Sequence, residues 1–196
     1  MTAAQRSKLR RKMRADRRAL STDRARAHAI AVARHLATSP WLLAARRIAA
    51  YTPNDGELDP SALIDRLLAR SRIVALPVVL PDRQLGFYRY TPHTRLVDNR
   101  FGIPEPDTRT AAFVPSRSLD LVFLPLVAFD ARGHRLGMGG GYYDATLGRL
   151  QPRPLLVGLA HALQRVDRLD DADWDVPLDA VVTEAGITTF TRRARR

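Results

Sequence analysis

Residues 121–129 (LVFLPLVAF) form the longest apolar run of the chain, and five of the nine positions 133–141 that follow are glycine. Nine apolar residues suit a buried strand and fall well short of the ~20 needed to span a bilayer. Glycine inside an element costs roughly 0.5–1 kcal/mol against alanine. Gly133, Gly137, Gly139, Gly140 and Gly141 therefore mark a place where the backbone must turn sharply or come close to something. Tyr142, Tyr143 and Asp144 follow directly and begin a helical pattern expected to reach Leu150. The centre of the chain thus reads as strand, glycine loop, helix.

The flanking segments extend this alternation. Strands are expected at 47–51, 72–80, 85–90, 154–160 and 179–184, each a short apolar or β-branched run. Asp59 and Pro60 read as N-cap and first residue of a helix whose buried stripe is Leu63, Ile64, Leu67 and Leu68. Residues 101–110 (FGIPEPDTRT), with two prolines, read as loop. Two helices fill the first 38 residues, the second restarting at Ser21. Such alternation predicts a single three-layer α/β/α domain over residues 1–191, with a mixed, mostly parallel sheet and a basic N-terminal helical segment packed on it. Residues 192–196 (RRARR) read as a solvated tail.

The net charge is +12, and +9 of it lies in residues 1–36. Residues 37–191 are close to neutral. A basic leading segment raises the possibility of nucleic-acid binding, but no RRM, KH or zinc-ligand pattern accompanies it. Its Arg-rich, acid-poor start has the composition of a mitochondrial transit peptide, yet it runs into the second helix with no linker, so it is expected to belong to the fold. Cysteine is absent, which excludes disulfides, thiolate metal sites and a cysteine nucleophile. No secretory pattern is present, and a cytoplasmic monomer is expected.

A glycine loop between a strand and a helix can aim backbone N–H groups at an anion. Phosphate or another anion is the expected class of ligand. No Gly-Lys-Ser/Thr follows, so this is not a Walker loop. The dinucleotide fingerprint fails as well, because Tyr142 stands where a glycine is needed after Gly137 and Gly139.

The stretch from Asp120 to Asp144, DLVFLPLVAFDARGHRLGMGGGYYD, closely resembles the signature of the 5-formyltetrahydrofolate cyclo-ligase family. GELDP (56–60), FGIPEP (101–106), DWDVPLDAVVTE (173–184) and the basic start RSKLRRKMRADRRALS (6–21) resemble further family segments, so the likeness leaves only the Arg-rich tail uncovered. The resemblance implies an enzyme that uses ATP and Mg²⁺ to convert 5-formyltetrahydrofolate to 5,10-methenyltetrahydrofolate. It implies a nucleotide-binding loop at Arg135, Leu136, Gly137, Met138, Gly139, Gly140, Gly141, Tyr142 and Tyr143, with Arg135 and Tyr142 catalytic and positions 138–142 also facing the folate. It further implies ATP contacts from Arg6 and Arg10, folate contacts from Thr52 and Glu57, and magnesium ligation by Asp144 and Asp175. Met138 and Gly140 depart from the Arg and Lys of some relatives, and Pro60 from a common threonine. Taken without the resemblance, Asp144 reads as a first-turn acid favoured by the helix dipole, Glu57 as a surface residue, and Asp175 as part of a solvated run with Asp170, Asp171 and Asp173. Trp41 and Trp174 read as packing residues, and His134 and His161 carry no assigned role. The competing functions are a nucleic-acid-binding protein and a sugar-phosphate isomerase-like α/β enzyme. In neither case is a membrane partner expected.

Overall fold

The structure, a computed structural model, describes residues 1–170 and 175–195. Asp171, Asp173 and Trp174 therefore lie outside the described residues. Two N-terminal helices, α1 (Ala3–Arg18) and α2 (Thr22–Leu36), precede the short α3 (Pro40–Ala44) and the first strand, β1 (Arg47–Ala49). α2 begins as its sequence requires, with the Ser21 side chain accepting from the Arg24 N–H. Helix α4 (Ser61–Ala69) leads to β2 (Ile73–Val79), β3 (Leu85–Tyr90), and a two-stranded ribbon of β4 (Leu96–Asp98) and β5 (Pro104–Pro106). β6 (Phe113–Val114), β7 (Leu121–Pro125), the hairpin of β8 (Ala128–Phe129) and β9 (Arg135–Leu136), and α5 (Tyr142–Leu147) follow. The chain closes with β10 (Leu155–Leu159), β11 (Ala180–Thr183) and β12 (Gly186–Thr189).

Eight strands make the main sheet, in the order β12-β11-β10-β7-β1-β2-β3-β6. The five central strands are parallel, and β12 and β3 run antiparallel to their inner neighbours. Side chains of a strand alternate between faces, so each central strand feeds two cores. Ile48, Val74, Leu121 and Phe123 join the α2 and α4 side. Ala49, Ala75, Val122 and Leu124 join the other side, which α5 and the loops around Leu119, Leu126 and Leu178 cover. Pro77 sits in β2 without loss to the ladder. The pairing with β1 ends at Ala50, whose N–H reaches the Ala75 carbonyl, so no neighbour asks position 77 for a donor.

Several local expectations change by small amounts. Pro60, expected as the first helical residue, is instead the N-cap of α4, and Asp59, expected as the N-cap, stands one residue earlier and accepts from the Ser61 N–H at 2.8 Å. α5 stops at Leu147 instead of Leu150, and Gly148 follows as its C-cap. The prolines of 101–110 do not keep that segment irregular, because Pro104–Pro106 pairs with β4 as an edge strand, where a missing N–H is tolerated. The Arg-rich tail is only partly solvated. Ala194 is buried in the core, and Arg193 Nη2 donates to the Arg153 carbonyl at 2.8 Å.

A third, smaller cluster explains the N-terminal helix. Leu9 and Met13 of α1 pack on Val127, Ala128 and Leu136, the hairpin that carries the glycine loop. One turn after Met13, Arg17 is 1% exposed. Its guanidinium donates to the Asp55 carbonyl (2.8 Å), the Leu126 carbonyl (3.1 Å) and the Asp55 carboxylate (3.0 Å). Arg14 and Arg18 close on the same carboxylate at 2.7 and 2.8 Å. Burial alone would raise the Asp55 pKa, but these three guanidinium hydrogen bonds overcome it and hold the group at about 2. The basic character of α1 is thus answered inside the fold.

Arg17→Met leaves two carbonyls without their donor, and a loss of about 2–4 kcal/mol is expected in urea unfolding. Asp55, with its folded pKa below the unfolded value, contributes stability that is complete above about pH 4 and disappears as the pH falls toward 2. Melting curves between pH 5 and pH 2 should show that slope in the parent chain and a shallower one in Asp55→Asn. Equal slopes would remove Asp55 as its source.

Candidate active site

β1 and β7 are neighbours in the sheet, yet the chain leaves β1 toward β2 on one side and resumes at β7 on the other. At such a reversal the loops beyond the carboxyl ends diverge and leave a crevice. A cavity of about 590 Å³ occupies it, bounded by Tyr51 and Thr52 after β1 and Pro125 at the end of β7. Every site residue expected from the sequence lines this one cavity: Arg6 and Arg10 from α1, Thr52 and Glu57 from the β1–α4 loop, the whole segment 135–144, and Asp175.

The glycine loop crosses the mouth. Gly139 and Gly141 have φ of +107° and +69°, the left-handed region that side chains disfavour. Gly141 is the residue from which α5 starts, so the sharp turn and the helix begin together. A Cβ on Gly140 would lie 2.7 Å from the Tyr142 ring. Arg10 Nε donates to the Gly137 carbonyl at 2.8 Å and thereby ties α1 to the loop. Burial, then the neighbouring Arg6 guanidinium, lowers the Arg10 pKa. Two cations held this close favour an anion between them. α5 has only six residues, so the backbone of the loop contributes more to that preference than a helix dipole does.

Asp144, Asp175 and Glu57 all line the cavity. Asp144 Oδ1 accepts from Arg135 Nη2 and from the Val176 N–H at 3.1 Å, which leaves Oδ2 for a further partner. Arg135 is also anchored on the Val176 carbonyl. These contacts draw the segment after position 174 against α5 and bring Asp175 to the same wall, where Arg6 Nη2 lies 3.5 Å from its Oδ2. Two carboxylates beside a backbone anion site are a donor set of the kind that holds Mg²⁺ together with substrate phosphate.

Glu57 enters the cavity from the β1–α4 loop. Its Oε2 accepts from the Asn54 N–H at 3.1 Å, and Arg17 Nη2 stands 3.6 Å from Oε1. Burial raises its pKa to about 7, and Arg17 offsets part of that rise. Far from being a surface acid, Glu57 is a carboxyl group poised between its neutral and charged forms. The Tyr143 hydroxyl is pushed up by burial and then by Glu57, and stays protonated.

Sequence reasoning missed the wall opposite the glycines. Asn99 Oδ1 accepts from the N–H groups of Phe101 (2.8 Å) and Ile103 (3.2 Å), while Glu105 Oε2 accepts from Asn99 Nδ2 and the Val79 N–H, both at 3.0 Å. This self-braced turn presents Phe101 edge-on to Tyr142, centroids 6.1 Å apart, and Arg100 donates to the Tyr142 hydroxyl. The Asn-x-x-Gly turn 99–102 was the available signal. Arg17 was also missed, because in a run of arginines nothing singles out the buried one. A second, open groove of about 1280 Å³ continues from Gly139, Asp144 and Asp175 toward Arg149, Arg153 and Arg193.

Comparison with known proteins gives a consistent result. The profile of the 5-formyltetrahydrofolate cyclo-ligase family matches residues 2–184. Proteins named 5-formyltetrahydrofolate cyclo-ligase are 46% identical over 137 residues in Haemophilus influenzae (68% of this chain, 73% of that protein) and 40% identical over 174 residues in Escherichia coli strain K12 (87% and 96%). The NMR structure of the Aquifex aeolicus 5,10-methenyltetrahydrofolate synthetase superposes with a TM-score of 0.81 at 34% identity, covering 94% of this chain and 92% of that one. A Mycoplasma pneumoniae 5,10-methenyltetrahydrofolate synthetase shares the fold, with a TM-score of 0.75 at 24% identity over 91% and 98%. By its sequence and by its fold, the chain belongs to the 5-formyltetrahydrofolate cyclo-ligase family.

Proposed function

We propose that this chain converts 5-formyltetrahydrofolate and ATP to 5,10-methenyltetrahydrofolate, ADP and phosphate. The observation that carries the reading is the convergence of the glycine loop, two arginines, Asp144, Asp175 and Glu57 in a single cavity. Among the described residues no helix is long and apolar enough to cross a membrane. The reading takes the enzyme to act in the cytoplasm as a monomer.

The formyl oxygen is a poor leaving group until it carries a phosphoryl group. In the proposed reaction that oxygen attacks the γ-phosphorus and the bond to ADP breaks. N10 then adds to the formyl carbon, the carbon–oxygen bond breaks, and phosphate leaves with the electron pair while N10 loses its proton. Chemistry of this type depends on placement and charge compensation more than on a protein nucleophile. Gly139–Gly141 would give the phosphates backbone donors, Arg6 and Arg10 would set charge beside them, and the groove past Arg149 and Arg153 gives the nucleotide room to extend. Asp144 and Asp175 would hold Mg²⁺, which when bound neutralises phosphate charge. Glu57 would accept two hydrogen bonds from the pterin, with Phe101 and Tyr142 as its apolar walls and Thr52 at its edge.

The direct test mixes the protein with Mg-ATP and 5-formyltetrahydrofolate and follows the conjugated methenyl chromophore. ATP consumption that does not depend on the folate would overturn the reading. In Asp144→Asn, kcat should fall at least tenfold, about 1.4 kcal/mol, and half-maximal activity should need more Mg²⁺. Gly140→Val drives a side chain into the Tyr142 ring and should raise the KM for ATP. Because Glu57 becomes charged as the pH rises through about 7, folate affinity measured by calorimetry should strengthen across that interval and then level off. Glu57→Gln should bind folate weakly at every pH, with ATP binding retained.

A further inference from the structure

Outside both cavities, three chemistry-bearing side chains from distant parts of the chain meet. His28 lies in the second turn of α2, His161 just beyond β10, and Glu184 in the turn between β11 and β12. His28 Nδ1 and His161 Nδ1 are 3.0 Å apart, and Glu184 Oε1 is 3.5 Å from His28 Nδ1. One ligand atom from each lies within 4.8 Å of the others. None of the three lines the active-site cavity or its adjoining groove.

A hydrogen bond between two imidazoles accounts for this only in part. One Nδ1 must then carry a proton and the other a lone pair, with the Glu184 carboxylate adding another lone pair at the same point. His161 is 1% exposed, so its ring is fixed by packing with Nδ1 facing His28. Glu184 is oriented as well. Its Oε2 accepts from the Ala162 N–H at 2.9 Å, which leaves Oε1 toward the histidines, and its carbonyl lies 3.1 Å from His35 Nε2.

The separations match a common ion. Two ligands about 2.0–2.1 Å from one metal in a tetrahedral arrangement lie roughly 3.3–3.4 Å apart, a value bracketed by the 3.0 and 3.5 Å separations here. A pair of neutral imidazoles with one carboxylate selects a borderline transition ion such as Zn²⁺ and not Mg²⁺, which prefers oxygen ligands. The chain has no cysteine to compete for it. The geometry points to a Zn²⁺-class metal site built from His28 Nδ1, His161 Nδ1 and Glu184 Oε1, with water as the fourth ligand. Such an ion pins α2 to the ends of β10 and β11, and its role is structural.

The test uses the full chain stripped by chelation and titrated with Zn²⁺ by calorimetry in excess Mg²⁺, with Co²⁺ as a spectroscopic substitute. One Zn²⁺ per chain is expected, with a higher melting temperature when it is bound and visible absorption of tetrahedral type with Co²⁺. His28→Ala and Glu184→Gln should each weaken Zn²⁺ binding at least tenfold, and methenyl formation without Zn²⁺ should match the parent. Both positions are partly exposed, so folding survives where replacement of the buried His161 would confuse it. Absence of saturable one-to-one binding, parent-like affinity in either variant, or displacement by Mg²⁺ would each overturn the assignment.

Discussion

A single buried guanidinium holds the functional half of this molecule together. Arg17 reaches from α1 to the loop after β1 through Asp55 and to the segment after β7 through the Leu126 carbonyl. Those are the two edges of the crevice in which the site is built. A cation without water needs full compensation. Here two carbonyls, one carboxylate and the distant edge of Glu57 supply it. The position of α1, the shape of the β1–α4 loop and the ionisation of Glu57 therefore depend on one another. A shift of the helix would change all three.

The same compensation explains why a strongly basic segment does not behave as an exposed cationic arm. Arg6, Arg10, Arg14, Arg17 and Arg18 all end on carboxylates or carbonyls of the body. Their charge is directed inward, toward the place where an anionic substrate would lie. The acids are divided between two duties. Asp55 is held ionised by three guanidinia, whereas Glu57, two residues on, is held near neutrality by burial. Neighbouring carboxyl groups with opposite tendencies let one loop anchor the helix and still offer a group that can change state.

Much of this was legible in the sequence. The alternation of apolar runs located the parallel strands, because strands buried on both faces cannot hide their composition. The glycine loop was visible because left-handed backbone at Gly139 and Gly141 leaves few other residue choices. The residues that line the cavity were singled out through a spaced motif; Glu57 and Asp144 taken alone read as ordinary surface acids. What the sequence left dark depends on tertiary placement. Pro104–Pro106 became a strand because β4 lay within reach, and Ala194 became core because β12 turned the tail back. Phe101, Arg17 and the pair His28 and His161 belong to the same class, since partners 109 to 133 residues away decide the role of the last three.

The docking of α1 also sets an order of events during synthesis. The helix is made before its partners, of which Asp55 follows Arg17 by 38 residues, whereas Leu126, Gly137 and Asp170 lie 109, 127 and 164 residues from their arginines. Closing loops of that length is slow, and native pairing cannot start before the distant segment exists. Until those later segments exist, α1 can close only on Asp55 among these partners, so the walls of the crevice and the final seat of the helix are completed together.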